Sequence, residues 1–232
     1  MNPAALSNRL GSLFPPGAVA AVLHEPGDPR LLLAAEAVHV NRAVPKRVQE
    51  FAAGRLCARR ALAELGIVDF PLTAAKDRQP NWPDSIVGSI THTAGFAAAV
   101  IAERSSAAAL GIDSEVVGDI RADIWPSICV PAEIAWMESL PPAERAAAVT
   151  LIFSAKEAFY KCQYPLVGER LNFHDVRVEA QCGASGGAFR IHAARSIALR
   201  ACAALPVQGR YLHHDGLVTA GMGLSASAAS IQ

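Results

Sequence analysis

The order of predicted helices and strands repeats along this chain, and that repeat constrains the fold more than any other feature. Residues 45–65 are predicted to form a helix, since Pro45 suits a first helical turn and Gly66 suits a helix end. Three short runs typical of strands follow, at residues 86–92, 96–102 and 107–113. Short turns, Thr93 to Gly95 and Glu103 to Ser106, predict a hairpin between each consecutive pair of strands. The first half therefore predicts a long helix followed by an antiparallel meander.

The second half shows the same order. Helices are predicted at residues 131–139 and 143–162, and Pro141 and Pro142 begin the longer one. Strand-like runs follow near residues 173–180, 188–194, 208–213 and 217–224. A helix followed by antiparallel strands, present twice, predicts an α+β fold of two similar halves, each a long helix packed on a small antiparallel sheet. The halves are expected to meet near residue 112, which divides the chain into residues 1–111 and 112–232.

Charge and cysteine content narrow the classes of function. The chain has 21 Lys plus Arg and 21 Asp plus Glu, so no global field draws it to nucleic acid or to a membrane. Its five cysteines form no CxxC pair, which favours free thiols in a reducing cytoplasm. No segment approaches the roughly 18 apolar residues of a membrane span, and no signal peptide is evident. We expect a cytoplasmic protein whose polyanion sites, if any, come from local clustering.

Two carboxylates follow a short apolar strand. The run from Ala107 to Ile112 ends in Asp113-Ser-Glu115. On an extended chain alternate side chains share a face, so Asp113 and Glu115 point the same way. Two carboxylates so close repel each other unless a cation or protons lie between them. The alternative is a solvated strand end, which is the usual explanation of an isolated pair of this kind.

A second charged cluster lies on the long helix of the second half. Glu157 and Lys161 are four residues apart on one face, with Phe153 one turn earlier on that face, and Lys156 lies among apolar neighbours. An exposed ion pair is the simple alternative. Charges among apolar side chains need partners, and a ligand carrying phosphates and a metal would provide them. Carboxylates without His or Cys favour Mg2+ over Zn2+, so the residues alone predict magnesium-dependent chemistry on a phosphoanhydride.

Basic and hydroxyl side chains supply candidate phosphate contacts. Residues 42–60 hold six Arg or Lys against a single acid, and Arg55 lies on the apolar stripe of the predicted helix. An arginine suits bidentate contact with phosphate, although a solvated basic helix is equally consistent. His92 ends a strand beside Ser89 and Thr91, where it could donate to a diphosphate or serve a structural role. The histidines have no HExxH spacing, so no zinc site is expected.

Two motifs resemble those of a known family. Gly111-Ile-Asp-Ser-Glu115 and, about 40 residues later, Phe153-Ser-Ala-Lys-Glu-Ala-Phe-Tyr-Lys161 are similar in order and spacing to the hallmarks of Sfp-type 4'-phosphopantetheinyl transferases. Further similar segments are Phe51 to Ala58, Pro80 to Pro83, Gly88 to His92 and Leu171 to Phe173. The match spans about residues 45–175 and is best for the branch that includes enterobactin synthetase component D.

The resemblance implies a fold and an activity. The expected fold is a monomer of two halves related by a pseudo-twofold, with coenzyme A between them. The expected reaction moves the 4'-phosphopantetheine arm of coenzyme A onto a serine of an apo acyl or peptidyl carrier protein and releases 3',5'-ADP. The implied ligands of Mg2+, with Mn2+ as a substitute, are Asp113, Glu115 and Glu157. Glu157 is also the candidate base, and the implied catalytic residues are Glu157, Lys161 and Asp113.

The same resemblance implies a set of coenzyme A contacts. The implied contacts are Arg47 and Arg55 at the 3'-phosphate, Lys76 or Arg78 along the adenine and phosphate region, Ser89 and His92 at the diphosphate with Thr91 between them in the strand, and Lys156 and Lys161 at phosphate oxygens. No nucleic acid or membrane partner is expected. The carrier's pathway, whether siderophore, polyketide or fatty-acid synthesis, stays open at this point. A docking edge for the carrier is predicted at Trp125, Pro126, Ile128 and Val130, with ordinary packing between the halves as the alternative.

Two other functions fit part of the pattern. A magnesium-dependent nuclease could use the basic residues 42–60 for DNA, but such enzymes usually place a Glu-x-Lys on a strand, whereas Lys156 and Glu157 lie in a helical pattern. A non-catalytic carrier-binding module could keep the fold. It would have no need for three converging carboxylates.

Overall fold

The computed structural model describes residues 2–181, 183, 185–194 and 207–226 of the 232-residue chain. The helices are α1 (Pro3–Gly11), α2 (Ala34–Ala37), α3 (Pro45–Glu64), α4 (Trp125–Ile128), α5 (Pro131–Ser139) and α6 (Pro142–Val167). The strands are β1 (Val19–Leu23), β2 (Ile86–Thr93), β3 (Phe96–Glu103), β4 (Ala107–Val116), β5 (Val176–Ala180), β6 (Gly186–Ala193), β7 (Val207–His214) and β8 (Leu217–Ser225). The mixture of helices and antiparallel sheets confirms the α+β class predicted from the sequence.

The first sheet has three antiparallel strands in the order β1-β3-β2, and α3 packs against it. The helix predicted at residues 45–65 and the hairpin between the first two predicted strands are confirmed, with Thr93 opposite Phe96 at the hairpin end. β3 is the central strand, and all of its residues except Glu103 are buried. Small alanine side chains on β3 allow α3 to lie close to the sheet, where Cys57, Ala58 and Ala61 are fully buried.

The second predicted hairpin, between residues 96–102 and 107–113, is wrong. β4 pairs with β8 of the other sheet rather than with β3. The physical reason is that β3 already has a neighbour on each edge, β1 on one side and β2 on the other, so it has no free edge for β4. The run Val19–Leu23, which forms β1, was not predicted as a strand, because its uniformly apolar residues lack the alternation that marks a half-buried strand.

The second sheet has five antiparallel strands in the order β4-β8-β7-β6-β5. The predicted helices at residues 131–139 and 143–162 and the four predicted strands are present, although the long helix continues to Val167 and residues 173–175 form a short 3-10 helix before β5. Gly168 follows it with a φ of 69°, a left-handed conformation that suits a glycine at a helix end. α6 packs on β4 and β8 through buried side chains such as Phe159 and Ile152. No helix in the described ranges is long and apolar enough to cross a membrane.

The two sheets meet where β2 lies beside the outer edge of β4. The backbone N–H groups of Ile112 and Ser114 on that edge donate to the side-chain oxygens of Ser89 and Thr91, at 3.2 and 2.9 Å. Hydroxyl side chains therefore satisfy edge groups that a further strand would otherwise pair. The predicted division between residues 111 and 112 falls inside β4, which belongs to the second sheet along its whole length.

Candidate active site

A cavity of about 680 Å3 lies between α3, β2, the loop of residues 77–84 and one face of α6. Its cationic lining residues are Arg47, Arg55, Arg78, Arg104, Lys161 and Arg170. Its acidic lining residues are Glu50, Asp77 and Asp84. The excess of cations on a wall shared by both halves suits a ligand with several negative charges, although the whole chain is neutral.

Asp113 and Lys161 form an ion pair next to this cavity. Asp113 lies on β4 and is only 4% exposed. Its Oδ1 accepts from Lys161 Nζ at 2.7 Å and from Thr91 Oγ1 at 3.4 Å, whereas its Oδ2 has no hydrogen-bond partner among the described residues. Lys161 Nζ also donates to the Ile112 carbonyl at 3.2 Å. The two oxygens of this buried carboxylate therefore differ: within the described residues one is hydrogen-bonded and the other is not.

Close packing of β4 against α6 brings these residues together. A Cβ added to Gly111 would lie 1.9 Å from the Ala158 carbonyl oxygen, so only glycine allows the two backbones to approach this closely. Ser154 Oγ of α6 donates to the Asp113 carbonyl at 2.9 Å and fixes the register of helix against strand. The glycine of the first motif therefore has a direct physical role in the position of Asp113.

Glu115 and Glu157 share the electrostatic environment of Asp113. Burial, and then the charge of Asp113, raises the pKa of Glu115 to about 7. Burial, and then Asp113, also raises the pKa of Glu157, while Lys161 acts in the opposite direction on both. The charge of Asp113 thus disfavours the ionised form of both glutamates, and the charge of Lys161 favours it.

The donor chemistry of these carboxylates fits a hard cation only in part. In the described part of the chain, no group of three or more His, Cys, Asp or Glu side chains is arranged to hold a metal ion by itself. Mg2+ usually takes one or two carboxylates and completes its shell with water and substrate phosphates. The unpartnered Asp113 Oδ2 and the all-oxygen donor set fit an ion that arrives with phosphate ligands.

Arg47, Glu50 and His92 form a cluster on the cavity wall. Arg47 Nη1 lies 2.8 Å from His92 Nε2 and 3.5 Å from Glu50 Oε2, and His92 Nδ1 lies 3.9 Å from the same oxygen. Burial, and then the charge of Arg47, lowers the pKa of His92, so the neutral ring accepts from Arg47 at Nε2. Glu50 was not predicted as a site residue. Its signal in the sequence was its position as the single acid within the basic residues 42–60.

Arg55 is buried yet reaches the cavity. Its guanidinium lies 3.9 Å from the centre of the Phe51 ring, and its Nε donates to the Leu72 carbonyl at 2.9 Å. Burial lowers the pKa of Arg55 to about 10, which keeps it cationic at neutral pH. Gly54 beside it allows close approach of a side chain, since an added Cβ would lie 2.8 Å from Ile90 Cγ2.

The loop between α3 and β2 holds two predicted coenzyme A contacts, Lys76 and Arg78, and only one of them lines the cavity. Arg78 lines the cavity and has a left-handed backbone with a φ of 74°, whereas the exposed Lys76 is not part of the lining. Arg104 and Arg170 also line the cavity and were not predicted. Arg170 directly precedes Leu171-Asn-Phe173, a segment that the family resemblance had already singled out.

The predicted diphosphate contacts differ in position. His92 and Ser89 line the cavity, and Ser89 also accepts from Ile112 N. Thr91 is not part of the lining: its hydroxyl accepts from Ser114 N at 2.9 Å and donates to Asp113 Oδ1. The structure thus places Thr91 where it orients a carboxylate rather than where it faces a phosphate.

Lys156 is directed away from the cationic cavity. Its ammonium donates to the Ile128 carbonyl at 2.9 Å, to Glu133 Oε2 at 2.8 Å and to the Phe173 carbonyl at 2.8 Å. Burial lowers the pKa of Lys156, and the charge of Glu133 opposes that shift. This position differs from the phosphate contact that the family resemblance implied, and Glu133 was not predicted at all.

A second cavity, of about 630 Å3, is lined by Lys156, Glu157, Phe159 and Tyr160 of α6, by Ser127 and by residues 171–176. The predicted docking edge lies beside it. Ile128 is buried in the core, and the Trp125 ring packs against that core with its Nε1 directed to the Ile120 carbonyl at 3.4 Å. These two residues therefore pack within the second half and not between the halves, while Pro126 is exposed.

Two protein-family models match most of the chain. Residues 35–102 match the 4'-phosphopantetheinyl transferase N-terminal domain, and residues 109–213 match the 4'-phosphopantetheinyl transferase superfamily. These ranges contain all the motifs described above. The resemblance inferred from the two motifs is confirmed.

Curated relatives agree with the family models. The 4'-phosphopantetheinyl transferase Svp of Streptomyces mobaraensis is 42% identical over 175 residues, which is 73% of this chain and 70% of the relative. The 4'-phosphopantetheinyl transferase PptT of Mycobacterium tuberculosis is 37% identical over 155 residues, 65% of this chain and 66% of the relative. Enterobactin synthase component D of Salmonella typhi is 41% identical over 121 residues, about half of each chain.

Proposed function

The chain belongs to the 4'-phosphopantetheinyl transferase superfamily, and we propose that its cationic cavity holds coenzyme A with the diphosphate beside Asp113. The chain is a 4'-phosphopantetheinyl transferase, an enzyme that transfers phosphopantetheine from coenzyme A to carrier proteins. The observation that best supports this placement is the Asp113 carboxylate, which is paired with Lys161 through Oδ1 and unpartnered at Oδ2 among the described residues.

The cavity wall suggests how coenzyme A is oriented. Arg47 and Arg55, both on α3, would grip the 3'-phosphate, because a guanidinium can give two parallel hydrogen bonds to phosphate. Lys161 and His92 would donate to the diphosphate, and Arg78 would lie near the adenine. Binding of the phosphate would draw Arg47 from Glu50 and His92, its partners in the free protein.

A metal ion would share the diphosphate with the carboxylates. Asp113, Glu115 and Glu157 would hold Mg2+, with Mn2+ as a substitute, and phosphate oxygens would complete the ligand set. When bound, the ion would offset negative charge on the diphosphate. Lys161 would supply a second positive charge there, and the low exposure of Asp113 strengthens such interactions by excluding water.

Glu157 is the proposed base. The serine hydroxyl oxygen forms a bond to the phosphorus nearer pantetheine, and the bond from that phosphorus to the bridging oxygen breaks. The serine proton passes to Glu157, directly or through water, and 3',5'-ADP leaves with the negative charge of the broken bond. Lys161 neutralises charge on the departing phosphate, so catalysis rests on position and electrostatics.

The two halves have a related strand order that supports a pseudo-twofold. In the first half β1 precedes α3 and pairs with β3, the last strand after the helix. In the second half β4 precedes α6 and pairs with β8, again the last strand after the helix. We assign phosphate contacts mainly to residues 1–111 and the metal ligands with the catalytic helix to residues 112–232, in a cytoplasmic monomer.

The partner is an apo acyl or peptidyl carrier protein. One relative is named for enterobactin synthesis, so siderophore carriers are the first to test, followed by polyketide carriers. The assay incubates the chain with coenzyme A, Mg2+ and an apo carrier and measures 3',5'-ADP. The proposal predicts ADP formation that depends on the carrier. A magnesium-dependent nuclease would instead cut DNA and form no 3',5'-ADP, and a non-catalytic module would bind the carrier without turnover.

A further inference from the structure

Lys156 and Glu157 are adjacent on α6 and both border the second cavity, but their charged groups have different surroundings. Successive residues of an α-helix are about 100° apart around its axis, so adjacent side chains cannot face one ligand equally. The side chain of Lys156 is 1% exposed, with its ammonium inside the second half of the molecule. Its neighbour Glu157 lies instead within the electrostatic reach of Asp113 and Lys161.

The Lys156 ammonium has no donor left for a phosphate. A lysine ammonium carries three hydrogens, and here each has an acceptor: the Ile128 carbonyl, Glu133 Oε2 and the Phe173 carbonyl, all within 2.9 Å. To reach a phosphate the ammonium would have to leave a buried carboxylate without its counter-charge, which is strongly unfavourable.

Glu133 is equally occupied. Its side chain is 1% exposed. Oε2 accepts from Val130 N at 2.8 Å, where it caps the first turn of α5, and Oε1 accepts from Val178 N of β5 at 2.6 Å. The Lys156–Glu133 pair therefore connects α6 to α5 and to β5 in the interior.

The same ammonium also holds two segments at the second cavity. Ile128 ends α4, and Phe173 begins the short helical turn before β5. Ser127 and Phe173 line that cavity, and so does Glu157. A single buried charge thus sets the distance between α6 and the two backbone segments that face Glu157.

We infer that Lys156 is a positioning residue, which acts through its buried pair with Glu133 to hold the Glu157 face of α6 toward Asp113, and that it does not contact phosphate. This inference rests on the proposed function of Glu157. It assigns a role to Glu133, which lies in neither motif. It also separates the two lysines of the second motif: Lys161 meets the ligand, while Lys156 fixes the helix that carries it.

The test compares the same substitution at both lysines. Lys156→Met, Lys161→Met and Glu133→Gln are each measured for kcat and KM of coenzyme A in carrier modification, and for metal-free binding of 3',5'-ADP. We expect Lys156→Met and Glu133→Gln to lower kcat about tenfold or more and to change ADP affinity by less than about threefold. Lys161→Met, in contrast, should weaken ADP binding as well.

A double variant, Lys156→Met with Glu133→Gln, tests the coupling. Since it removes both charges, its kcat and melting temperature should lie close to those of the single variants or above them, not at the sum of their losses. If Lys156→Met does not fold, the double variant and the more conservative Glu133→Gln are compared with the wild type.

Two results would overturn the inference. One is a double variant whose losses equal the sum of the single losses, and the other is an affinity for 3',5'-ADP that falls tenfold in Lys156→Met but stays unchanged in Glu133→Gln. Failure of the wild-type chain to modify any carrier would count against the proposed function instead.

Discussion

Lys161 Nζ donates to Asp113 Oδ1 at 2.7 Å, while Asp113 Oδ2, on the same carboxylate, has no partner among the described residues. The two oxygens of one buried carboxylate therefore have different surroundings. Oδ1 accepts from a lysine of α6, the helix that carries the second motif, whereas Oδ2 could accept from a donor of a ligand or bind a cation. The bond from Lys161 to Asp113 joins helix α6 to strand β4.

The carboxylates are expected to be needed for turnover and not for folding. Asp113→Ala and Glu157→Ala should each lower kcat about 100-fold or more, because each removes a charge at the point where the diphosphate is proposed to bind. The melting temperature should stay near that of the wild type. Glu138→Ala, at an exposed carboxylate of α5, is the matched control and should keep full activity. Turnover like that of the wild type in either site variant would remove the assignment.

Glu50 is expected to weaken binding of phosphates in the cavity. Its carboxylate lies 3.5 Å from Arg47, so it competes with an incoming 3'-phosphate for that guanidinium. Glu50→Gln should tighten binding of 3',5'-ADP by about two- to tenfold, measured by calorimetry at low salt. Glu64→Gln, at an exposed position near the end of the same helix, should leave the affinity unchanged. Weaker binding by Glu50→Gln would show that Glu50 supports Arg47 and His92 instead.

Gly111 is expected to be intolerant of any side chain. An added Cβ would meet the Ala158 carbonyl at 1.9 Å, so β4 or α6 must shift. Gly111→Ala should lower the free energy of unfolding by about 1–3 kcal/mol and reduce kcat further by moving Asp113 from Lys161. Gly11→Ala is a suitable control, because its Cβ would meet the Ala18 carbonyl at an ordinary 3.5 Å. Equal stability of the two variants in urea unfolding would contradict this account of the motif.

His214 is expected to make stability depend on pH. Burial lowers the pKa of its imidazole to about 4, and its Nε2 lies 2.7 Å from Thr219 Oγ1. Between pH 6.5 and 4 the unfolded chain binds a proton at this residue and the folded chain does not, so the contribution is complete above about pH 6.5 and falls as the pH is lowered. The slope from this residue is at most about 1.4 kcal/mol per pH unit.

The pH dependence can be assigned by substitution. His214→Gln should flatten the plot of unfolding free energy against pH between 4 and 6.5, relative to the wild type. His174→Gln, at an exposed histidine, should leave the slope unchanged. If both variants retain the wild-type slope, His214 is not the group that titrates.

Local patterns in the sequence predicted helices α3, α5 and α6, every strand except β1, and the β2–β3 hairpin, but not α1, α2, α4 or the partner of β4. The helix from Pro45 and the strands near residues 86–102 follow from periodicity and turn residues. The partner of β4 could not be predicted in this way, because β4 and β8 are about 110 residues apart and nothing local distinguishes β8 from β3 as a partner. Strand β1 was not predicted because all of its residues are apolar, so the sequence shows no alternation of apolar and polar side chains there.

The same distinction holds for the site. The motifs identified Asp113, Glu115, Glu157 and Lys161, whose side chains the structure brings into one electrostatic environment. Residue type did not distinguish Lys161, which lines the cationic cavity, from Lys156, whose ammonium is paired inside the protein. The position of Lys156 depends on Glu133, 23 residues earlier, and that contact arises only when α5 packs against α6.

Transfer of the phosphopantetheine arm can be detected as an increase in the intact mass of the carrier. A purified apo carrier is incubated with coenzyme A, Mg2+ and the chain, and its intact mass is measured before and after, with Asp113→Ala as the paired control. We expect the wild type to add the mass of one phosphopantetheine to a serine of the carrier and the variant to add almost none. An unchanged carrier mass across siderophore, polyketide and fatty-acid carriers, with a folded protein that binds coenzyme A, would show that the chain does not carry out this transfer.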